Sequence, residues 1–213
     1  MINLMRYIIF ITILFGFLPF SFSQNPQSAR SHIENIAMSK VNFTPSKISA
    51  CSQYGCKKIT EVSIDEQIWT DITNRFDGLD INPGNERALL VEYIADIEKI
   101  IGRMTNTNFD IGGSFNVFFA AGTVKSDQMD CIDESTNTLS YLRLLDVKHK
   151  IRSHEVMGLV TRGGLLAGYP HTAVLIVDVV SKEKYVIDSW FYSNGRPAVV
   201  LPYKTWKIGW IPD

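Results

Sequence analysis

The spacing of apolar residues changes once along this chain, near Lys150, and the change sets the class of fold. Before that point Leu89, Leu90, Tyr93, Ile94, Ile97, Ile100, Ile101 and Met104 form one continuous face at helical spacing, which predicts a long amphipathic helix with Pro83 in its first turn. Ile64, Ile68, Trp69, Ile72 and Phe76 predict a shorter helix ahead of it. That helix opens at the capping-box signature Ser63-Ile-Asp-Glu66 and stops at Gly78. Both stripes read as core rather than as binding grooves. After Lys150 the apolar residues gather into short runs rich in Val and Ile. Residues 156–161 predict a strand, 162–168 a Gly-rich loop, and 171–180 a buried strand. A polar turn at 181–184 and a returning strand at 185–190 complete a hairpin. Residues 198–201 add a further strand, and Trp206 and Trp210 cover the end of the sheet. Helices followed by consecutive strands predict an α+β fold, N-terminal helices packed on an antiparallel sheet.

The N-terminus reads as a leader. Arg6 supplies a positive start, residues 7–20 an apolar run, and Ser21-Phe22-Ser23 the small residues before a cleavage point. The run holds Gly16 and Pro19 and is shorter than the roughly 20 residues a spanning helix needs. Residues 1–23 are therefore expected to be a removable signal peptide, leaving no stable membrane span and an exported protein, periplasmic or extracellular. Residues 24–50 are polar, with Pro26 and Pro45, and predict a weakly structured arm. Residues 51–213 are long enough for one domain with a full core. The net charge of −1 comes with no Lys/Arg cluster, which disfavours nucleic acid as a partner.

Export gives the three cysteines different readings. Cys51 and Cys56 are close in sequence, with Gly55 to help the turn, and predict a disulfide. Cys131 is left over, and an odd cysteine in an exported chain is a candidate reactive thiol. It lies in Gln128-Met-Asp-Cys-Ile-Asp-Glu-Ser135. Asp130 can cap a helix whose first residue is Cys131, with Asp133 or Glu134 in its first turn and Leu139, Leu142 and Leu145 on its packing face. A thiol at a helix N-terminus meets unpaired N–H groups and the positive end of the dipole, which favours the thiolate. Asp130, Asp133 and Glu134 oppose that effect unless caps or basic partners such as Arg143 or Arg162 occupy them. Gln128 is a candidate oxyanion donor beside the Cys131 N–H.

Of the four histidines, His171 stands at the mouth of a buried strand and is the candidate base. Asp188, a carboxylate inside an apolar strand, is the candidate orienter. A tight turn at 181–184 places Asp188 opposite residues 173–177, so a direct bond to His171 is expected to need a bulge or an offset. Asn194 is the fallback orienter. His149 and His154, with four residues between them, lie in a polar loop without ligand partners at tight spacing, and a bridged Cys51–Cys56 would not hold zinc, so no metal is expected. No nucleotide fingerprint or cofactor lysine motif occurs, and Gly112-Gly113, in a loop or irregular strand at 109–124, lacks the setting of a phosphate loop.

Cys131 opening a helix, then His171 in Pro-His-Thr-Ala-Val and Asp188 in Val-Ile-Asp-Ser-Trp-Phe, resembles the Cys–His–Asp order of the transglutaminase-like superfamily, relatives of the papain-like cysteine peptidases. The wording looks like that of a group of uncharacterised exported bacterial proteins. The resemblance implies a core of a Cys-bearing helix on an antiparallel sheet, with Cys131 as nucleophile, His171 as base and Asp188 as orienter. It implies a hydrolase or acyltransferase acting on amide bonds of a protein or peptide substrate. The alternatives are a non-catalytic binding or structural module that keeps the fold, and an endopeptidase acting on cell-wall peptide.

Overall fold

The computed structural model describes residues 47–77, 82–114, 127–164 and 168–213. The leader, most of the arm, residues 115–126 of the Gly-rich stretch and Gly78 lie outside the described residues. Within them the chain is a mixed α and β protein with two antiparallel sheets and four α-helices. β1 (Ile48–Ser52) and β2 (Lys58–Val62) form a two-stranded sheet. Three helices follow: α1 (Glu66–Thr73), α2 (Pro83–Thr105) and α3 (Cys131–Val147). β3 (His154–Gly164), β4 (Gly168–Asp178), β5 (Lys184–Asp188) and β6 (Val199–Pro202) then pair in chain order, and α4 (Tyr203–Lys207) closes the series.

The helix starts follow local chemistry. Asp65, not Ser63, caps α1: its carboxylate accepts from the N–H groups of Gln67 and Ile68. A carboxylate next to the first turn serves the dipole better than a hydroxyl two residues earlier. Asn82 caps α2 ahead of Pro83, and Asn106 ends it in the left-handed region at φ 62°. The expected stripes face the core, where Phe76, Leu90, Tyr93, Ile94, Ile97 and Ile101 are buried. The exceptions, Ile68 and Met104, are 42 % and 48 % exposed.

The small sheet is absent from the sequence reading. β1 begins inside the expected arm, and Ile48 and Ala50 are core residues. Two five-residue strands with Ser, Lys, Thr and Glu among them give too short an alternation to stand out. α3 packs against β1 as well as β3, β4 and β5. It is therefore buried on almost every side, polar positions included. Leu142 and Leu145, fully buried, each contribute about 1.5–3 kcal/mol. The polar positions are matched individually. Asn137 exchanges two hydrogen bonds with the Cys51 backbone at 2.7 and 2.9 Å, and Thr138 bonds the Ser189 hydroxyl at 2.9 Å.

Of the expected Gly-rich loop at 162–168, residues 162–164 and 168 are strand, and 165–167 lie outside the described residues. Arg162 pairs with His171, and the register shifts between Val156 and Gly158 and between Arg162 and Gly164. These bulges bend β3, while β4 and β5 keep one register from Val174–Ile187 to Val177–Lys184.

Candidate active site

Asp130 caps α3 with its side chain on the N–H groups of Ile132 and Asp133, and Asp133 reaches back to the Asp130 N–H in a full capping box. The Asp130 carbonyl takes the Glu134 N–H. Of the first four donors of α3, the Cys131 N–H is the one with no partner among the described residues. The acidic side chains around Cys131 are not spent on arginines: Arg143 pairs with Asp146, and Arg162 donates to the carbonyls of Trp206 and Trp210. Backbone amides hold them instead. Cys51 and Cys56 are disulfide-bonded, and the loop between them turns its N–H groups onto the helix start. Tyr54 and Cys56 donate to Asp133 at 2.7 and 2.6 Å, and Gly55 donates to Asp130 at 3.0 Å. Gln53, Tyr54, Gly55 and Cys56 all take left-handed φ values, between 56° and 70°. Three of them carry a Cβ, so the loop is held against a local preference.

His171 and Asp188 meet directly. The ring Nε2 lies 2.6 Å from Asp188 Oδ2, and both side chains are buried. No bulge between β4 and β5 is required. Continuing their register sets Asp188 across from Ala173 and Trp190 across from His171. Residues 171 and 173 share a face, so His171 reaches Asp188 along the diagonal, within range of a long side chain. Trp190 packs against the imidazole with ring centroids 4.6 Å apart and the rings tilted by 46°, Phe191 stands at 5.3 Å and Trp206 at 5.8 Å. The Trp206 indole N–H also donates to Asp188 Oδ2 at 2.8 Å. Sequence reasoning placed Trp206 only as a cover; its spacing from Asp188 gives no sign of the bond. Nδ1 of His171 and Oδ1 of Asp188 are buried without hydrogen-bond partners among the described residues.

The thiol comes to the same place. Cys131 is free and buried, and the backbone N–H of Thr172, the residue after His171, is near enough to the thiol to favour its ionised form. The expectation of a lowered thiol pKa does not hold. Burial pushes it up to about 12, the Asp130, Asp188 and Asp133 charges add to the rise, and the Thr172 N–H only partly opposes them. Desolvation outweighs the helix terminus.

The other candidates are engaged elsewhere. The Gln128 amide donates to the Phe109 and Asp127 carbonyls and accepts from the Ile111 N–H and the Ser114 hydroxyl. With both amide hydrogens used it ties loops together and offers no oxyanion donor. The Asn194 side chain packs on Gly102 of α2, where a Cβ would come within 2.8 Å of it, so it stands against that helix and not beside His171. His154 belongs to a structural pair, its Nδ1 2.7 Å from Glu86, which also receives the Arg152 and Ser153 N–H groups. The Cys51 and Cys56 sulfurs and an Asp133 oxygen lie within 4.8 Å of one another, but the sulfurs are bonded to each other.

Buried carboxyls form a layer beneath the site. Burial raises Glu98 to about 8 and Asp110 to about 7, and lifts Glu134 well above the usual carboxylate range. Glu134 accepts from the Ser189 hydroxyl at 2.9 Å, Asp110 from the Met129 N–H at 2.6 Å, and Glu98 from the Gly195 N–H at 3.1 Å. Among the described residues no Lys or Arg side chain pairs with these three, so protons neutralise them. No helix of the described residues is long and apolar enough to cross a membrane. No family model matches the chain, and no curated protein or solved structure matches it.

Proposed function

We propose that this chain is an exported cysteine-dependent hydrolase or acyltransferase acting on amide bonds, with a transglutaminase-like core in which Cys131 is the nucleophile, His171 the base and Asp188 the orienter. The observation that carries the reading is the junction at β4. The Thr172 N–H lies near enough to the thiol to act on its charge, and the imidazole one residue earlier is anchored by Asp188 through Nε2, while Nδ1 has no partner among the described residues. Anchoring through Nε2 leaves Nδ1 as the basic nitrogen, which suits proton transfer.

The raised thiol pKa decides between two forms of this chemistry. A raised pKa favours the resting thiol, so in this reading His171 removes the thiol proton as sulfur attacks the carbonyl, in the manner of a serine–histidine pair. The carbon–sulfur bond forms, and the oxyanion is taken up by the Cys131 N–H, the free donor of α3. His171 then delivers the proton to the leaving amine, and water or a second amine cleaves the thioester. The buried Asp188 carboxylate stabilises the imidazolium in between, with Trp206 fixing its orientation.

The raised thiol pKa and the absence of a hydrogen bond at His171 Nδ1 favour a second reading, a module that keeps the fold without turnover. Labelling the protein with a thiol-reactive peptide-amide probe, beside Cys131→Ala, His171→Ala and Asp188→Ala, separates the two. The enzyme reading expects labelling that needs all three residues. Labelling that survives His171→Ala shows an exposed thiol without a base and removes the reading.

A further inference from the structure

Phe191, which stands 5.3 Å from the His171 ring, also lines a groove of about 360 Å³. The groove runs between the loop after α2 and the loop after β5, and Ile111, Gly112, Tyr192, Ser193 and Arg196 form the rest of its lining. Its volume is at the lower end of sites that hold small ligands, enough for about one or two peptide residues. Two features give it a chemical preference. Ile111 and Tyr192 are 60 % and 40 % exposed, and Phe109 beside them is 74 % exposed. Apolar surface gathered at a cleft is covered when an apolar side chain enters. Arg196 supplies the charge. Its guanidinium has no carboxylate partner among the described residues, and unlike Arg103 and Arg152, which are also without one, it lines the groove.

The groove is preformed. Gly113 N–H donates to the Trp190 carbonyl at 2.7 Å, the Trp190 indole N–H to the Ser114 carbonyl at 2.6 Å, and the Asn194 N–H to the Asp110 carbonyl at 3.3 Å. These bonds stitch the two loops together. At Gly112 they approach so closely that a Cβ would lie 2.5 Å from the Phe191 carbonyl oxygen. A site already in its bound shape loses little entropy on binding.

We propose that this groove is the substrate subsite beside the thiol, and that it takes a peptide presenting an aliphatic or aromatic side chain next to a carboxylate, which Arg196 binds. The inference rests on the amide-hydrolase reading for its placement. The carboxylate is either an acidic side chain or a free C-terminus, and the test treats them separately. The full chain carrying Cys131→Ala is titrated against fluorescent blocked peptides containing Phe-Glu or Phe-Gln, and against Phe-Ala with a free or an amidated C-terminus. Anisotropy is read at low and high salt. The carboxylate member of at least one pair binds about three- to tenfold tighter at low salt. Arg196→Gln removes that preference without moving the thermal midpoint, and replacing Phe by Ser weakens every peptide. Equal affinity within both pairs, a preference that survives Arg196→Gln, or no binding by any of the four overturns the proposal. Carboxylate-selective binding without any Cys131-dependent turnover keeps the groove and removes the hydrolase reading. Turnover indifferent to the carboxylate does the reverse.

Discussion

Breaking the Cys51–Cys56 bridge, by Cys51→Ser with Cys56→Ser, tests how the start of α3 is held. The bridge closes a loop of six residues, for which the chain-entropy relation gives a stabilisation of about 2 kcal/mol. In a chain of this size that is a fall in Tm of about 4–8 °C. A local effect follows as well. Gln53, Tyr54 and Cys56 sit in left-handed conformations that cost about 1 kcal/mol or more each. The N–H bonds of Tyr54 and Cys56 to Asp133, of Gly55 to Asp130 and of Gln53 to the Gln128 carbonyl offset that cost while the bridge keeps the loop seated. Without the bridge the loop detaches more often, leaving the two carboxylates beside Cys131 with only their capping-box donors. The assays are thermal unfolding without reductant and the rate at which iodoacetamide alkylates Cys131, which should rise as the site opens. A variant that melts within about 1 °C of the parent, with an unchanged alkylation rate, would falsify the argument that the bridge seats the loop.

Three further outcomes follow from the site. Asp188→Ala should cost about 2–4 kcal/mol, since it strands the His171 and Trp206 N–H donors in a dry pocket, and should abolish His171-dependent labelling. Asn194→Ala should do neither, and comparable losses in urea unfolding would refute the assignment of Asp188. With the Cys131 thiol raised to about 12, alkylation of the folded protein should climb about tenfold per pH unit from 7 to 10; a plateau near pH 8 would show an activated thiol. Glu98 at about 8 and Asp110 at about 7 lie above their unfolded values of 4.5 and 3.8. The folded chain therefore binds more protons between those limits, and these groups' stabilisation, complete below about pH 4, is lost as pH rises towards 8. Tm should be lower at pH 8 than at pH 5.5, and Glu98→Gln should flatten the slope. A Tm that climbs over that range would contradict it.

The parts of the site that depend on neighbours in sequence were legible. Asp130 with Asp133 marks a helix start at Cys131, because capping is a local matter of three or four residues. The meander of strands was legible from its Val and Ile runs. The His171–Asp188 bond was inferred with an unneeded bulge, because counting across a hairpin measures only directly opposed residues while side chains also meet on the diagonal. What could not be read depends on tertiary contact. Nothing in the spacing of Trp206, Thr172 and Gln128 says that the first bonds Asp188, that the backbone of the second lies near the thiol, or that the third is tied into loops. The thiol's charge state was misjudged for the same reason: a helix terminus is visible in sequence, and the β1–β2 layer that helps to dry it is not.

The indole of Trp206 on Asp188 has a consequence for biogenesis. Domains fold as units, and the helix carrying Cys131 and the strands carrying His171 and Asp188 all precede α4 in the chain. Until Trp206 docks, Asp188 lacks one of its two donors and His171 lacks one wall of its aromatic surround. Arg162 meanwhile has no Trp206 or Trp210 carbonyl to hold. The segment from Tyr203 to Trp210 therefore has to dock before the His171–Asp188 pair has its full set of partners.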